Sequence, residues 1–243
     1  PVHVAEEAAT MDVLSGGNFI VGVGLGYRVG EFDAFGISLK HRSPRFEEAI
    51  GLMRRLWTED RVTHKGKFYQ ITNAGIGLKP IQKGGPKLYI GGSADVSVRR
   101  AARIGDAWII VNSSGLEKSV PLMKTYRAAL TEYGKTAEDF PIMVECYVGA
   151  NNATAMDECM KPLQYKYNAY ASWGFEGRRL DDTNFADYAR NKFIIGDKVK
   201  VKEEIARYNE LLGVNHFVMR CQWPGLPVER TLDSIKRLGE IFA

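Results

Sequence analysis

The strongest constraint on this chain is a recurring order of elements: a short apolar run, a glycine-bearing turn, a helix with one apolar stripe, and a glycine that stops it. Leu88-Tyr89-Ile90 runs into Gly91-Gly92-Ser93-Ala94 and a helix to Ile104, ended by Gly105. Ala107 to Val111 is followed by a helix from about Glu117 to Tyr133, stopped by Gly134. Ile142 to Val148 leads through Asn151-Asn152 into a long helix carrying Pro162, where a kink is expected. A helix from Val199 to Leu212 ends at Gly213, strand His216 to Cys221 follows, and a helix from Thr231 to Phe242 closes the chain. Strand-helix alternation with glycine stops predicts right-handed βαβ units around a parallel sheet, an α/β fold. About five principal strands are legible, whereas a closed (β/α)₈ barrel needs eight. The pattern therefore describes either an open sheet or the later part of a barrel.

The first third carries the same logic. Pro1 to Leu14 reads as a helix with Val4, Ala8 and Met11 in a stripe, stopped by Gly16-Gly17. Phe19 to Val23 follows as a strand predicted to be covered on both faces. Gly22-Val23-Gly24-Leu25-Gly26 then forms a glycine-rich turn at the strand's carboxyl end, where backbone can approach a ligand closely. It is not a dinucleotide fingerprint. Neither register completes Gly-x-Gly-x-x-Gly, and Gly30 and the run 31–36 stand where a helix should open at once. Ser43-Pro44 supplies an N-cap and first-turn pair for a helix bearing Phe46, Ala49, Ile50, Met53, Leu56 and Trp57. Residues 62–86 read as an excursion from the repeat: a small hairpin turning at Lys65-Gly66, then a Gly-, Pro- and Lys-rich loop.

Composition bounds the function classes. At 243 residues, 45% hydrophobic, the chain suits one large domain spanning 1–243 with a substantial core. A formal charge of +4 spread along the chain forms no polybasic face, so nucleic acid is not an expected partner. Cys146, Cys159 and Cys221 are widely spaced and read as reduced thiols packed as small apolar groups in a cytoplasmic protein. No apolar run approaches membrane-spanning length, and no secretory signal is present in the sequence.

Gly91-Gly92-Ser93-Ala94 is the second informative turn. It precedes a helix N-terminus, where free backbone N–H groups and the helix dipole favour an anion. Ser93 adds a hydroxyl and Ser97 lies one helical turn on. The alternative is an N-cap serine after a flexible turn. Two glycine-rich turns at the ends of two parallel strands should open on the same side, and a phosphorylated planar cofactor would use both. Asn112, ending the next strand, either faces that opening or caps a turn. Glu145 and Arg220 each interrupt an apolar strand, so each either takes an inward catalytic or polar-lining role, Arg220 then facing an anion or carboxylate, or lies on an exposed face. His3, His41, His64 and His216 share no metal spacing; His64 reads as solvated on the hairpin and His41 as a surface residue or pocket cover. No Gly-x-Ser-x-Gly elbow supports serine hydrolysis.

The segment from Val4 to Gly17 followed by Phe19-Ile20-Val21-Gly22-Val23-Gly24-Leu25-Gly26-Tyr27 resembles the luciferase-like flavin-dependent oxidoreductases. So do Arg45 to Trp57, Lys65-Gly66-Lys67-Phe68-Tyr69, Lys79-Pro80-Ile81-Gln82, Ile90-Gly91-Gly92-Ser93, Ala101 to Trp108, Phe193-Ile194-Ile195-Gly196 and Gly213 to Phe217. The resemblance implies a TIM-type barrel that binds a flavin, FMN or the deazaflavin coenzyme. It implies that Gly91, Gly92, Ser93 and Ala94 hold phosphate or ribityl groups with Ser97 in support, and that Gly24, Leu25, Gly26 and Tyr27 meet the flavin. Asn112 is expected at the same mouth. The family's first three strand-helix units, with their catalytic residues, have no counterpart in this sequence. The expected fold is thus an incomplete barrel whose catalytic residues are unassigned.

The implied activity is that of an FMN-dependent monooxygenase acting with reduced flavin and oxygen on a small organic substrate such as an aldehyde, with a flavin reductase as partner. The alternatives are a deazaflavin-dependent hydride transferase, and a non-catalytic flavin-binding protein or inert fragment. Unpaired edges of an open barrel call for cover by another chain, so a homo-oligomer is expected.

Overall fold

The computed structural model describes residues 1–111, 115–174 and 179–243. In order they form α1 (Val2–Leu14), β1 (Ile20–Val23), α2 (Val29–Ala34), α3 (Arg42–Thr58), β2 (Val62–Lys65), β3 (Gln70–Ala74), β4 (Lys87–Gly91), α4 (Asp95–Ile104), β5 (Ala107–Val111) and α5 (Leu116–Glu132). There follow β6 (Pro141–Val148), α6 (Asn152–Ser172), α7 (Phe185–Ala189), β7 (Phe193–Gly196), α8 (Lys198–Leu212), β8 (His216–Arg220) and α9 (Val228–Phe242). The chain divides into two compact units: Pro1–Gly92, Val96–Trp108 and Ala129–Ala137, and then Ser93–Asp95, Ile109–Ala128 and Glu138–Ala243.

In the first unit, β1 and β4 pair in parallel from Ile20↔Lys87 to Val23↔Ile90. The core lies beside them, where Ala5, Ala8 and Ala9 of α1 meet Leu52, Met53, Leu56 and Trp57 of α3. Small residues on α1 let α3 come close enough for the buried Trp57 indole N–H to donate to the Ala5 carbonyl at 2.9 Å. Gly16 and Gly17, at φ 64° and 83°, turn the chain out of α1 through left-handed backbone that a side chain would oppose. Buried Asp12 then ties the 75–86 loop down, accepting from Gln82 N at 2.9 Å and from the Gln82 amide.

The strand at the head of this unit is not the fully covered one that its apolar run predicts: none of Ile20 to Val23 is buried, and Gly22 is exposed. Among the described residues β1 is paired along one edge only, so one side keeps solvent contact. Three further expectations are corrected. A short helix, α2, does form through Gly30. Helix α3 starts at Arg42 behind a 3₁₀ turn at Leu39–His41, so Ser43 and Pro44 lie inside its first turn and His41 occupies the cap position. His64 is half-buried rather than solvated: its Nε2 lies 3.1 Å from the Glu48 carboxylate of α3, which also accepts from Phe68 N and Tyr69 N. That carboxylate fastens the hairpin β2–β3 to α3, and a Cβ at Gly66 would come within 1.9 Å of it.

In the second unit β6 is the central strand. Ile142 is opposite both Ile110 and Phe217, and Glu145 opposite both Phe193 and Arg220. Since a strand has two edges, β8 occupies one, and β5 and β7 follow one another along the other. β7 is a parallel strand beyond the five counted from sequence. Its four-residue apolar run carries no alternation, and pairing with the upper half of β6 makes it a strand. Leu180 is buried, and a short helix, α7, forms from Phe185. Pro162 lies inside α6, which runs from Asn152 to Ser172, and α8 ends at Gly213 in the left-handed conformation, φ 67°.

Candidate functional site

The register of β1 on β4 sets the geometry of the two glycine turns. Val23 lies opposite Ile90, so the next residues, Gly24 and Gly91, leave the sheet abreast at the carboxyl ends of parallel strands. Gly24 is exposed, and a Cβ built there would meet nothing within 4 Å. Leu25 is half-buried and Tyr27 exposed, while Gly26 turns at φ 73° with its carbonyl held by Arg42 Nη1 at 3.1 Å. On the other strand, the Gly92 carbonyl accepts from the Trp108 indole at 2.9 Å. Ser93 and Ala94 are exposed immediately before α4 begins at Asp95.

Gly92 is needed for a reason that the sequence does not reveal. A Cβ there would lie 2.4 Å from the Ser97 Cβ, so the close packing of turn on helix already excludes a side chain. Ser97 thereby backs the turn. Gly24 and Gly91 stand abreast at one rim of the first unit, with Ser97 against Gly92; Leu25, Gly26 and Tyr27, and Ser93 and Ala94, follow them along the chain. Asn112 lies outside the described residues.

A second constellation belongs to the second unit and is only half visible in sequence. Glu145, on the middle of β6, is 1% exposed. Its Oε1 lies 2.8 Å from Lys166 Nζ, 3.0 Å from the Tyr167 hydroxyl and 2.5 Å from Arg220 Nη2, while Oε2 accepts from the Trp223 indole. Parallel register puts Arg220, the last residue of β8, abreast of Glu145. Helix α6 delivers Lys166 and Tyr167, and the loop after β8 delivers Trp223. Burial pushes the Lys166 ammonium below its ordinary range, with Glu145 opposing the shift, and pushes the Tyr167 hydroxyl up. Glu145 and Arg220 were each legible as charges breaking an apolar strand. Lys166, Tyr167 and Trp223 were not, because their roles depend on where α6 and the loop fold back.

The remaining candidates are structural. His41 packs its ring 6.0 Å from Phe68. Cys146 and Cys159 are buried free thiols and Cys221 is half-buried. Among the described residues no group of three His, Cys, Asp or Glu side chains could hold a metal ion, and no helix is long and apolar enough to cross a membrane.

Comparison with known proteins gives this geometry a context. The family model described as luciferase-like monooxygenase matches residues 1–216. The F420-dependent glucose-6-phosphate dehydrogenase of Intrasporangium calvum is 29% identical over 96% of this chain and 72% of its own length. The enzyme of the same name from Amycolatopsis mediterranei is also 29% identical, with the same coverage. Among solved structures, the monooxygenase RslO1 from Streptomyces bottropensis superposes with a TM-score of 0.87 at 22% identity, covering 99% of this chain and 72% of that one. An F420-dependent secondary alcohol dehydrogenase bound to an F420-acetone adduct gives 0.80 at 21% identity, covering 100% and 75%. These superpositions establish the fold, the α/β architecture of the luciferase-like (β/α) barrel class.

Proposed function

Because the chain belongs to the luciferase-like monooxygenase family, we propose that it is an oxidoreductase using a deazaflavin of the F420 type, moving a hydride between that cofactor and the carbinol carbon of a small organic substrate. The observation that carries the choice of cofactor is the 29% identity with F420-dependent glucose-6-phosphate dehydrogenases over 96% of the chain. The sequence ranked an FMN monooxygenase first because that branch is broader, not because a residue favoured it. The likeness to RslO1, at 22% identity, bears on fold alone.

The rim of the first unit suits a phosphorylated planar cofactor. Open space where a Cβ at Gly24 would stand, abreast of Gly91, leaves backbone to line one side. The turn Gly91, Gly92, Ser93 and Ala94, half-buried at its glycines and exposed at Ser93 and Ala94, offers backbone donors and a hydroxyl to a phosphate at the α4 N-terminus. Ser97 backs Gly92, and Leu25, Gly26 and Tyr27 face the ring from the other strand. The bound deazaflavin supplies the hydride acceptor or donor; the chain binds it, orients it and screens it from water.

Adding coenzyme F420 and FMN separately to the purified protein, and following the fluorescence of each, tests the reading. Saturable F420 binding, followed by loss of its oxidised absorbance on adding an alcohol or sugar phosphate, is expected. Tight FMN binding with none for F420 would overturn it in favour of the monooxygenase. Binding of neither would leave the inert fragment. Self-association belongs to the same reading, and light scattering measures it.

A further inference from the structure

The Glu145 constellation holds more positive charge than its carboxylate balances, and one of its donors is left over. Lys166, 11% exposed, and Arg220, 27% exposed, share the single carboxylate of Glu145, so three formal charges leave one positive. The carboxylate is fully engaged: Lys166, Tyr167 and Arg220 crowd Oε1 and Trp223 occupies Oε2. Lys166 with the two neutral donors would already satisfy a structural Glu145. Arg220 meets Glu145 through Nη2, and its Nε is buried with no hydrogen-bond partner. Buried donors are almost always satisfied, so an orphaned guanidinium N–H calls for an acceptor from elsewhere.

Its place fits one. Arg220 ends β8, and in parallel α/β folds ligands bind beyond the carboxyl ends of strands. A guanidinium presents paired N–H donors in a plane that matches two oxygens of a carboxylate or phosphate.

We propose that Arg220, held in place by Glu145, is an anion-recognition residue of the second unit that takes a carboxylate or phosphate through the guanidinium donors Glu145 leaves over. Glu145 and Lys166 are positioning residues, fixing the guanidinium plane and keeping the local charge positive.

The test follows the arginine Nε–H resonances of the whole chain by ¹H–¹⁵N NMR, with the Arg220 signal assigned by its loss in Arg220→Lys. Inorganic phosphate and acetate are titrated separately, and exposed Arg190 serves as the reference. Arg220 should shift saturably while Arg190 drifts linearly, with whichever anion saturates first naming a phosphorylated or a carboxylated ligand. Arg220 tracking Arg190 with both anions overturns the proposal. Coenzyme F420 fluorescence in the same samples reports the cofactor separately. A saturating Arg220 without F420 binding would refute the deazaflavin reading and keep the anion site, and the converse would do the opposite.

Discussion

Replacing Glu145 by glutamine removes a buried charge while keeping shape and one acceptor oxygen. Lys166, 11% exposed and 2.8 Å away, would lose its counter-ion inside the protein. Breaking a buried pair by removing one partner costs about 3–5 kcal/mol, because the remaining charge is left uncompensated. Arg220 is 27% exposed and can turn partly to water, so its share is screened. The amide brings donors to a place already crowded with the donors of Tyr167 and Trp223. The lower end, about 3 kcal/mol, follows. At roughly 2–4 °C per kcal/mol for a chain of this size, the melting temperature should fall by about 6–12 °C. Urea unfolding followed by circular dichroism measures the loss directly. A Glu145→Leu/Lys166→Met double variant should recover only part of it, since it removes the stranded ammonium but leaves Arg220 and the Tyr167 and Trp223 donors without their acceptor. A Glu145→Gln protein within about 1 kcal/mol of the parent would refute the view that this carboxylate holds two cations in a low-dielectric setting.

Other consequences are open to simple measurement. Burial raises the Glu48 carboxyl, but His64 and the N–H groups of Tyr69 and Phe68 outweigh it and hold it below its ordinary value; buried Asp12, bound by Gln82, behaves alike. Their stabilisation is therefore present above the unfolded-state pKa near 4 and lost as pH falls through the lower folded value. Glu48→Gln should flatten that acid limb in urea midpoints measured between about pH 2 and 5. Gly92→Ala should destabilise by about 1–3 kcal/mol, with Ser97→Gly restoring part of it, because the clash is with the Ser97 Cβ; an unaltered unfolding midpoint in Gly92→Ala would contradict the packing. Ser93→Ala should weaken F420 binding about 2- to 12-fold, the worth of one hydrogen bond, as read by fluorescence titration. A hydrogen bond donated to Cys221, together with burial, raises the Cys146 thiol and burial raises the Cys159 thiol, whereas Cys221 is lowered by accepting from Cys146. Native protein should then show fast reaction with a disulfide reagent at Cys221 alone.

The strand-helix alternation, the parallel pairing and the two glycine turns are legible along the chain, because these depend on local properties. Apolar runs, left-handed glycines such as Gly213, and their spacing act over a few residues. The same locality made Glu145 and Arg220 conspicuous, since a charge inside an apolar strand stands out without knowledge of its neighbours. It also explains the misjudgements: an apolar run cannot say whether both its faces are covered, so Ile20 to Val23 looked buried, and Phe193 to Gly196 went uncounted as a strand until β6 was beside it. Which groups share a site is set by the way the chain folds back on itself. That folding set Glu145 abreast of Arg220, 75 residues apart in the numbering (220 − 145), brought Lys166, Tyr167 and Trp223 round them, and pressed Ser97 against Gly92. Hydrogen bonding and burial are properties of approach in space, and no spacing along the chain encodes which distant donor will meet a given carboxylate.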